Sequence, residues 1–147
     1  MTQVEFYILE DEKPRAAFRF AIEHIQKAYL NNRKVFIHTN SRRDAEAMDE
    51  ILWTQDPSSF LPHSLHGDAP GLNAPIEIGY GELPNVRPDV MVNLSDHVPE
   101  FHGQFERLIE FVCGDDEQKE LARTRFKFYR DRGYPLQHFN IPNRTNA

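Results

Sequence analysis

Residues 4–39, VEFYILEDEKPRAAFRFAIEHIQKAYLNNRKVFIHT, decide the fold class. Val4 to Leu9 is a short apolar run that reads as a strand. Glu10-Asp11-Glu12 and Lys13-Pro14 make a turn, and Pro14 suits the first turn of a helix. From Ala16 to Leu30 the apolar residues Phe18, Ala21, Ile22, Ile25 and Ala28 recur at three- and four-residue steps, one buried helical stripe. Asn31-Asn32 ends that helix, and Lys34 to Thr39 is a second apolar strand. A helix of this length between two apolar strands is the pattern of a βαβ unit with parallel strands.

The rest of the chain extends the pattern. Asn40 or Ser41 can cap a helix over about Arg42 to Trp53. Asp56-Pro57-Ser58-Ser59 breaks the chain, Phe60-Leu61-Pro62-His63 is a short apolar segment, and residues 66–71 read as loop. Ile76 to Tyr80 and Asp89 to Leu94 read as third and fourth strands. Phe105 to Val112 fits a helix, a strand, or one running into the other, with its second half the better strand. Asp115 to Gly133 reads as a helix, Leu136 to Ile141 as an edge strand, and residues 142–147 as a flexible tail. With no internal repeat or linker, residues 1–141 form one α/β domain.

Composition narrows the functions. The 147 residues carry a formal net charge of −6, 39% hydrophobic and 12% aromatic residues, a globular and aromatic-rich chain. The N-terminus lacks the basic-then-apolar pattern of a signal peptide, and no apolar run approaches the roughly 18 residues of a membrane span. Cytoplasm is the expected compartment. Cys113 is the only cysteine, so no internal disulfide and no thiolate zinc cage can form. Residues Glu10-Asp11-Glu12 stand where a phosphate-binding glycine loop would follow the first strand, and three carboxylates there repel a pyrophosphate. No cofactor is expected. His63 and His66 with Asp68 are the one conceivable metal set, but no helix pattern precedes them to fix the pair, and no metal is expected. No carboxylate pair is singled out by spacing, and Cys113 after an apolar run reads as an inert thiol.

Two places stand out as binding surfaces. On the helix after Asp115, Lys119, Arg123, Lys127 and Arg130 fall in one stripe with Phe126 among them, while Leu121, Ala122, Phe128 and Tyr129 form the core side. Basic helix faces are usually just solvated. Cations around one aromatic ring on an acidic protein, however, suit a selective anionic partner, such as a peptide ending in an apolar residue and a free carboxylate. The second place is Trp53 with Phe60 and Pro62. Trp53 follows Leu52, which shares the core face with Ala45 and Met48, so it points roughly 100° away. Either the following loop covers it or a partner does.

Several stretches together resemble the chi subunit of bacterial DNA polymerase III holoenzyme: FYIL near the start, AEAMDEILWTQDPSSFLPH, APIEIGY, and EFVCGDDEQKELARTRFKFYRDRGYPL. The resemblance spans nearly the whole chain. The LAR-x-R-[FY]-K-x-Y-R core and the L-W-x(6)-F-x-P spacing at Leu52 to Pro62 carry it most specifically. It implies a Rossmann-like α/β fold, mostly parallel and without nucleotide, and a clamp-loader accessory protein without catalytic activity. It also implies two partners: the psi subunit, and the C-terminal tail of single-stranded DNA-binding protein. By resemblance the tail site maps to Val112, Lys119, Arg123, Phe126 and Lys127, and the psi site to Trp53, Phe60 and Pro62. The family pattern implies Tyr at the position of Phe126, where this chain keeps the ring and loses the hydroxyl. A helicase is a second candidate partner for the aromatic patch. Two other hypotheses stand beside the adaptor: a nucleotide- or metal-dependent α/β enzyme, and direct nucleic-acid binding through the basic helix. The missing phosphate loop and the acidic net charge disfavour both.

Overall fold

The computed structural model describes residues 2–10, 14–54, 61–65, 74–81 and 89–142. The element order is β1 (Gln3–Leu9), α1 (Pro14–Leu30), β2 (Val35–His38), α2 (Arg42–Thr54), β3 (His63–Leu65), β4 (Ile76–Gly79), β5 (Val90–Asn93), β6 (Arg107–Val112), α3 (Asp116–Asp131) and β7 (Leu136–Ile141). The strands form one seven-stranded sheet in the order β3-β4-β2-β5-β6-β1-β7, and every pairing in it is parallel. Phe60, His66, Asp68, the acidic turn at 11–13 and the tail from 143 lie outside the described residues.

The elements end where their residues require. Asn32 takes the left-handed conformation (φ 61°), and the Arg33 amide donates to the Ala28 carbonyl at 2.9 Å, closing α1. Ser41 caps α2, accepting from the Asp44 amide at 3.2 Å. Four residues suffice for β2 and β5 because all of them are buried, as in a parallel sheet covered on both faces.

One face of the sheet, with Val35, Ile37, Ile76, Ile78, Val90, Val92, Ile109 and Phe111, packs against the apolar stripes of α1 and α2. The other face, with Val4, Phe6, Phe36, Met91 and Leu108, packs under Tyr129 of α3 and under Phe101 and Phe105 of the segment before β6. Two points differ from the sequence expectation. β1 and β2 are parallel but not neighbours; β5 and β6 lie between them, so the crossover through α1 spans more of the sheet than a minimal βαβ unit. The apolar segment after α2 also continues into a short strand, His63–Leu65, which pairs with β4 at the edge.

Candidate functional site

The basic helix α3 begins at Asp115, whose side chain accepts from the Gln118 amide at 3.0 Å, with Asp116 and Glu117 in the first turn. It ends before Gly133, at φ 78°, a conformation that favours glycine. Ala122, Arg125 and Tyr129 mark its buried side. At about 100° per residue, Lys119, Arg123 and Arg130 lie within about 40° of one another on one flank, with Phe126 at its inner border and Lys127 nearly opposite the buried side. Phe126 is half-buried, its ring edge-on to Phe6 of β1 at 5.2 Å and next to His138 of β7 at 6.2 Å. Val112, at the end of β6, is half-buried and packs on the same apolar cluster as Phe126. Arg123 is exposed, 73% for its side chain, and hydrogen-bonds Glu120 one turn back, an ion pair open to water. Lys127 is exposed and Lys119 half-buried. The residues assigned to the tail site thus share one flank and the adjoining strand ends, with Lys127 at the rim.

Beneath that flank lies a polar cluster that the amphipathic pattern of α3 did not disclose. The Glu110 side chain is fully buried, and the Arg125 side chain is 7% exposed. Arg125 Nε donates to Glu110 Oε1 at 3.0 Å, while Tyr129 Oη and Asn93 Nδ2 each donate to Oε2 at 2.8 Å. Arg125 Nη1 also donates to the Asp96 carbonyl at 3.2 Å, and Asn93 Oδ1 accepts from the Ser95 hydroxyl at 2.6 Å. Burial pushes the Glu110 carboxyl up, with Arg125, Asn93 and Tyr129 opposing it. Burial, and then the Glu110 carboxylate, push the Tyr129 phenol far up, so it stays a donor. The cluster ties α3 to β5 and β6 and fixes the rotation that presents Arg123 and Phe126.

The second face lies at the other edge of the sheet. Trp53, in the last turn of α2, is 57% exposed, its indole edge-on to the His63 ring at 5.0 Å. The His63 side chain is buried, with Nδ1 2.6 Å from the Leu61 carbonyl and Nε2 3.1 Å from Asp49 Oδ1. Leu61 is buried in the core and Pro62 is half-buried, so Pro62 stands between a fixed Leu61 and a fixed His63. Trp53 therefore sits over β3 on one side of the sheet, and Phe126 over β1 and β7 on the other. Four strands separate β3 from β1, about 24 Å at 4.8 Å per strand step.

A cavity of about 340 Å³ opens at the C-terminal ends of β5 and β6, where α/β sheets bind ligands. Phe18, Phe111, Cys113, Asn93, Ser95 and Arg125 are among its lining residues. Asn93 and Ser95 hydrogen-bond each other and the buried His38 ring, Asn93 and Arg125 donate to Glu110, and all three donate to backbone carbonyls. Among the described residues no group of three or more His, Cys, Asp and Glu is placed to hold a metal ion, and no helix is long and apolar enough to cross a membrane.

Residues 1–137 match the family described as DNA polymerase III chi subunit, HolC. The chain is 33% identical over 142 residues to the DNA polymerase III subunit chi of Pseudomonas aeruginosa, covering 97% of this chain and 99% of that protein. It is 35% identical over 138 residues to the subunit chi of Haemophilus influenzae, covering 93% and 96% respectively. To that of Escherichia coli it is 30% identical over 141 residues, covering 92% and 96%.

Proposed function

This chain belongs to the DNA polymerase III chi subunit family, and from that premise we propose that it is a non-catalytic adaptor of the replicative clamp-loader complex. In this reading its α3 flank holds the C-terminal tail of single-stranded DNA-binding protein while its Trp53 face holds the psi subunit. The observation that carries the proposal is the separation of the two faces, at opposite sides and distant strands of one rigid sheet. Two partners can then be held at once without competing for surface. A helicase offered the same aromatic patch would compete with psi and leave the tail site open.

At the tail site the Arg123 guanidinium pairs the terminal carboxylate with both oxygens, which an ammonium cannot do. Phe126 and Val112 form the wall for the terminal side chain, and Lys119 and Lys127 attract the acidic residues before it. With phenylalanine at position 126 the wall acts by apolar contact alone.

The test is a titration of an acidic peptide ending in Pro-Phe, with a free or an amidated C-terminus, against wild type and Arg123→Ala. Arg123→Ala is expected to cost roughly 2 kcal/mol or more with the free carboxylate. Amidation should weaken binding to wild type strongly and to Arg123→Ala hardly at all. Equal losses from amidation in both proteins would remove Arg123 as the carboxylate's partner. The cavity beside Arg125 is the one observation favouring a small-molecule reading; a nucleotide-dependent rise in melting temperature would favour it over the adaptor.

A further inference from the structure

His138 lies on β7, opposite Phe6 of β1 in the sheet register, so its side chain stands on the face covered by α3. It is exposed, and its ring meets the Phe126 ring at 6.2 Å and 73°, edge against face. Phe126 is thus bounded by Phe6 below and His138 beside it. Resting on the tail-binding reading above, we propose that His138 lines the same pocket as Phe126 and makes capture of an acidic, carboxylate-terminated peptide tighter as the pH falls.

The charges around the imidazole argue for this. On α3 the flank nearest β7 carries Lys119, Arg123 and Arg130, with Lys127 further out; Glu120 is engaged by Arg123 and Asp131 by Arg130. On β1 the neighbours on the same face are Val4, Phe6 and Ile8, and on β7 itself Leu136 and Asn140, none of which titrates. Further in, on β6, Glu110 is bonded to Arg125 and shielded by burial. This flank of α3 is therefore rich in positive charge, the sign that attracts an acidic peptide. A bound carboxylate reverses that local sign and favours the imidazolium. By linkage, a group that gains a proton on binding makes binding stronger at lower pH.

The acidic peptide ending in Pro-Phe is titrated calorimetrically against wild type, His138→Gln and His138→Lys at about pH 6 and about pH 8. Wild type should bind about threefold to tenfold tighter at the lower pH. His138→Gln should show no such gain, and His138→Lys should bind comparably at both. Repeating the titration in two buffers of different ionisation enthalpy should show proton uptake in wild type alone. Circular dichroism and melting temperature check that each exposed-site variant is folded. If the peptide binds but wild type and His138→Gln share one pH profile, this inference fails and the tail-binding reading stands. If the peptide binds none of the three proteins, the tail-binding reading fails and this one with it.

Discussion

Replacing Arg125 by Met isolates what the buried cluster contributes to the protein. Met fills a similar volume but removes the charge and the Arg125 donor to Glu110 Oε1, leaving Tyr129 and Asn93 on Oε2. Breaking one side of a buried ion pair costs about 3–5 kcal/mol, a large part of the about 5–15 kcal/mol that holds a domain folded. The loss should also depend on pH in a definite direction. Burial raises the Glu110 carboxyl in the folded protein, and Arg125 is the largest influence opposing it. A carboxyl raised on folding stabilises fully below its unfolded value, and that contribution is lost as pH rises through the folded value. Removing Arg125 lifts the folded value further, so Arg125→Met loses ground to wild type by up to about 1.4 kcal/mol per pH unit in the window between the two folded values. Urea unfolding at about pH 5 and about pH 8 measures both parts, with the smaller defect expected in acid. The double variant Glu110→Leu with Arg125→Met should recover much of the loss, since an apolar pair needs no counter-charge. A loss below about 1 kcal/mol at the higher pH, or a defect equal at both, would refute this account of the cluster.

Three further outcomes are expected. Trp53→Ala should lose about 2 kcal/mol or more of psi binding while keeping the tail peptide, as central aromatic anchors do; a folded variant with normal psi affinity removes Trp53 from that interface. Naked single-stranded DNA should not bind at physiological salt, because a single basic stripe acts against a net charge of −6; an electrophoretic shift at low micromolar protein would overturn the adaptor-only reading. Asp115→Ala should cost about 1 kcal/mol through the Gln118 amide it leaves without its acceptor, read as a lower melting temperature. An unchanged melting temperature would mean that water replaces the cap without loss.

The architecture was legible because its signals are local and redundant. β1, β2 and β5 are dense apolar runs, α1 carries a continuous stripe, and Asn31-Asn32 and Ser41 mark helix boundaries that the structure keeps. Strand order was not legible, since a parallel sheet buried on both faces presents near-identical apolar runs whichever strands are neighbours. β3 was missed because His63-Ser64-Leu65 is too short to show a period and is made a strand by the β4 backbone beside it. Helix phase turned Trp53 off the core face but left open whether the following loop covers it; the residue is 57% exposed. Arg125 escaped notice because a charged residue in a basic helix looks like surface, whereas helix phase puts it with Ala122 and Tyr129. The available signal was its partner: Glu110 stands between Ile109 and Phe111 in an apolar strand, and a carboxylate there requires a cation from another element.

β1 leaves the ribosome about 100 residues before the strands it pairs with. Among the described residues β1 pairs with β6 and β7, and the Glu5 carboxylate that anchors it accepts two hydrogen bonds from Arg107, 102 residues later. At about 5–20 residues per second, that strand waits about 5–20 s before its first partner is made, and longer for the second. Until then Val4 and Phe6 have no sheet to join, and the nascent chain carries an adhesive N-terminal segment. Losing β7 would leave β1 paired with β6 on one side and open on the other, because β7 is what covers the outer edge of β1. A nonsense codon before residue 136 therefore exposes the start of the chain, far from the lesion in sequence and adjacent to it in space.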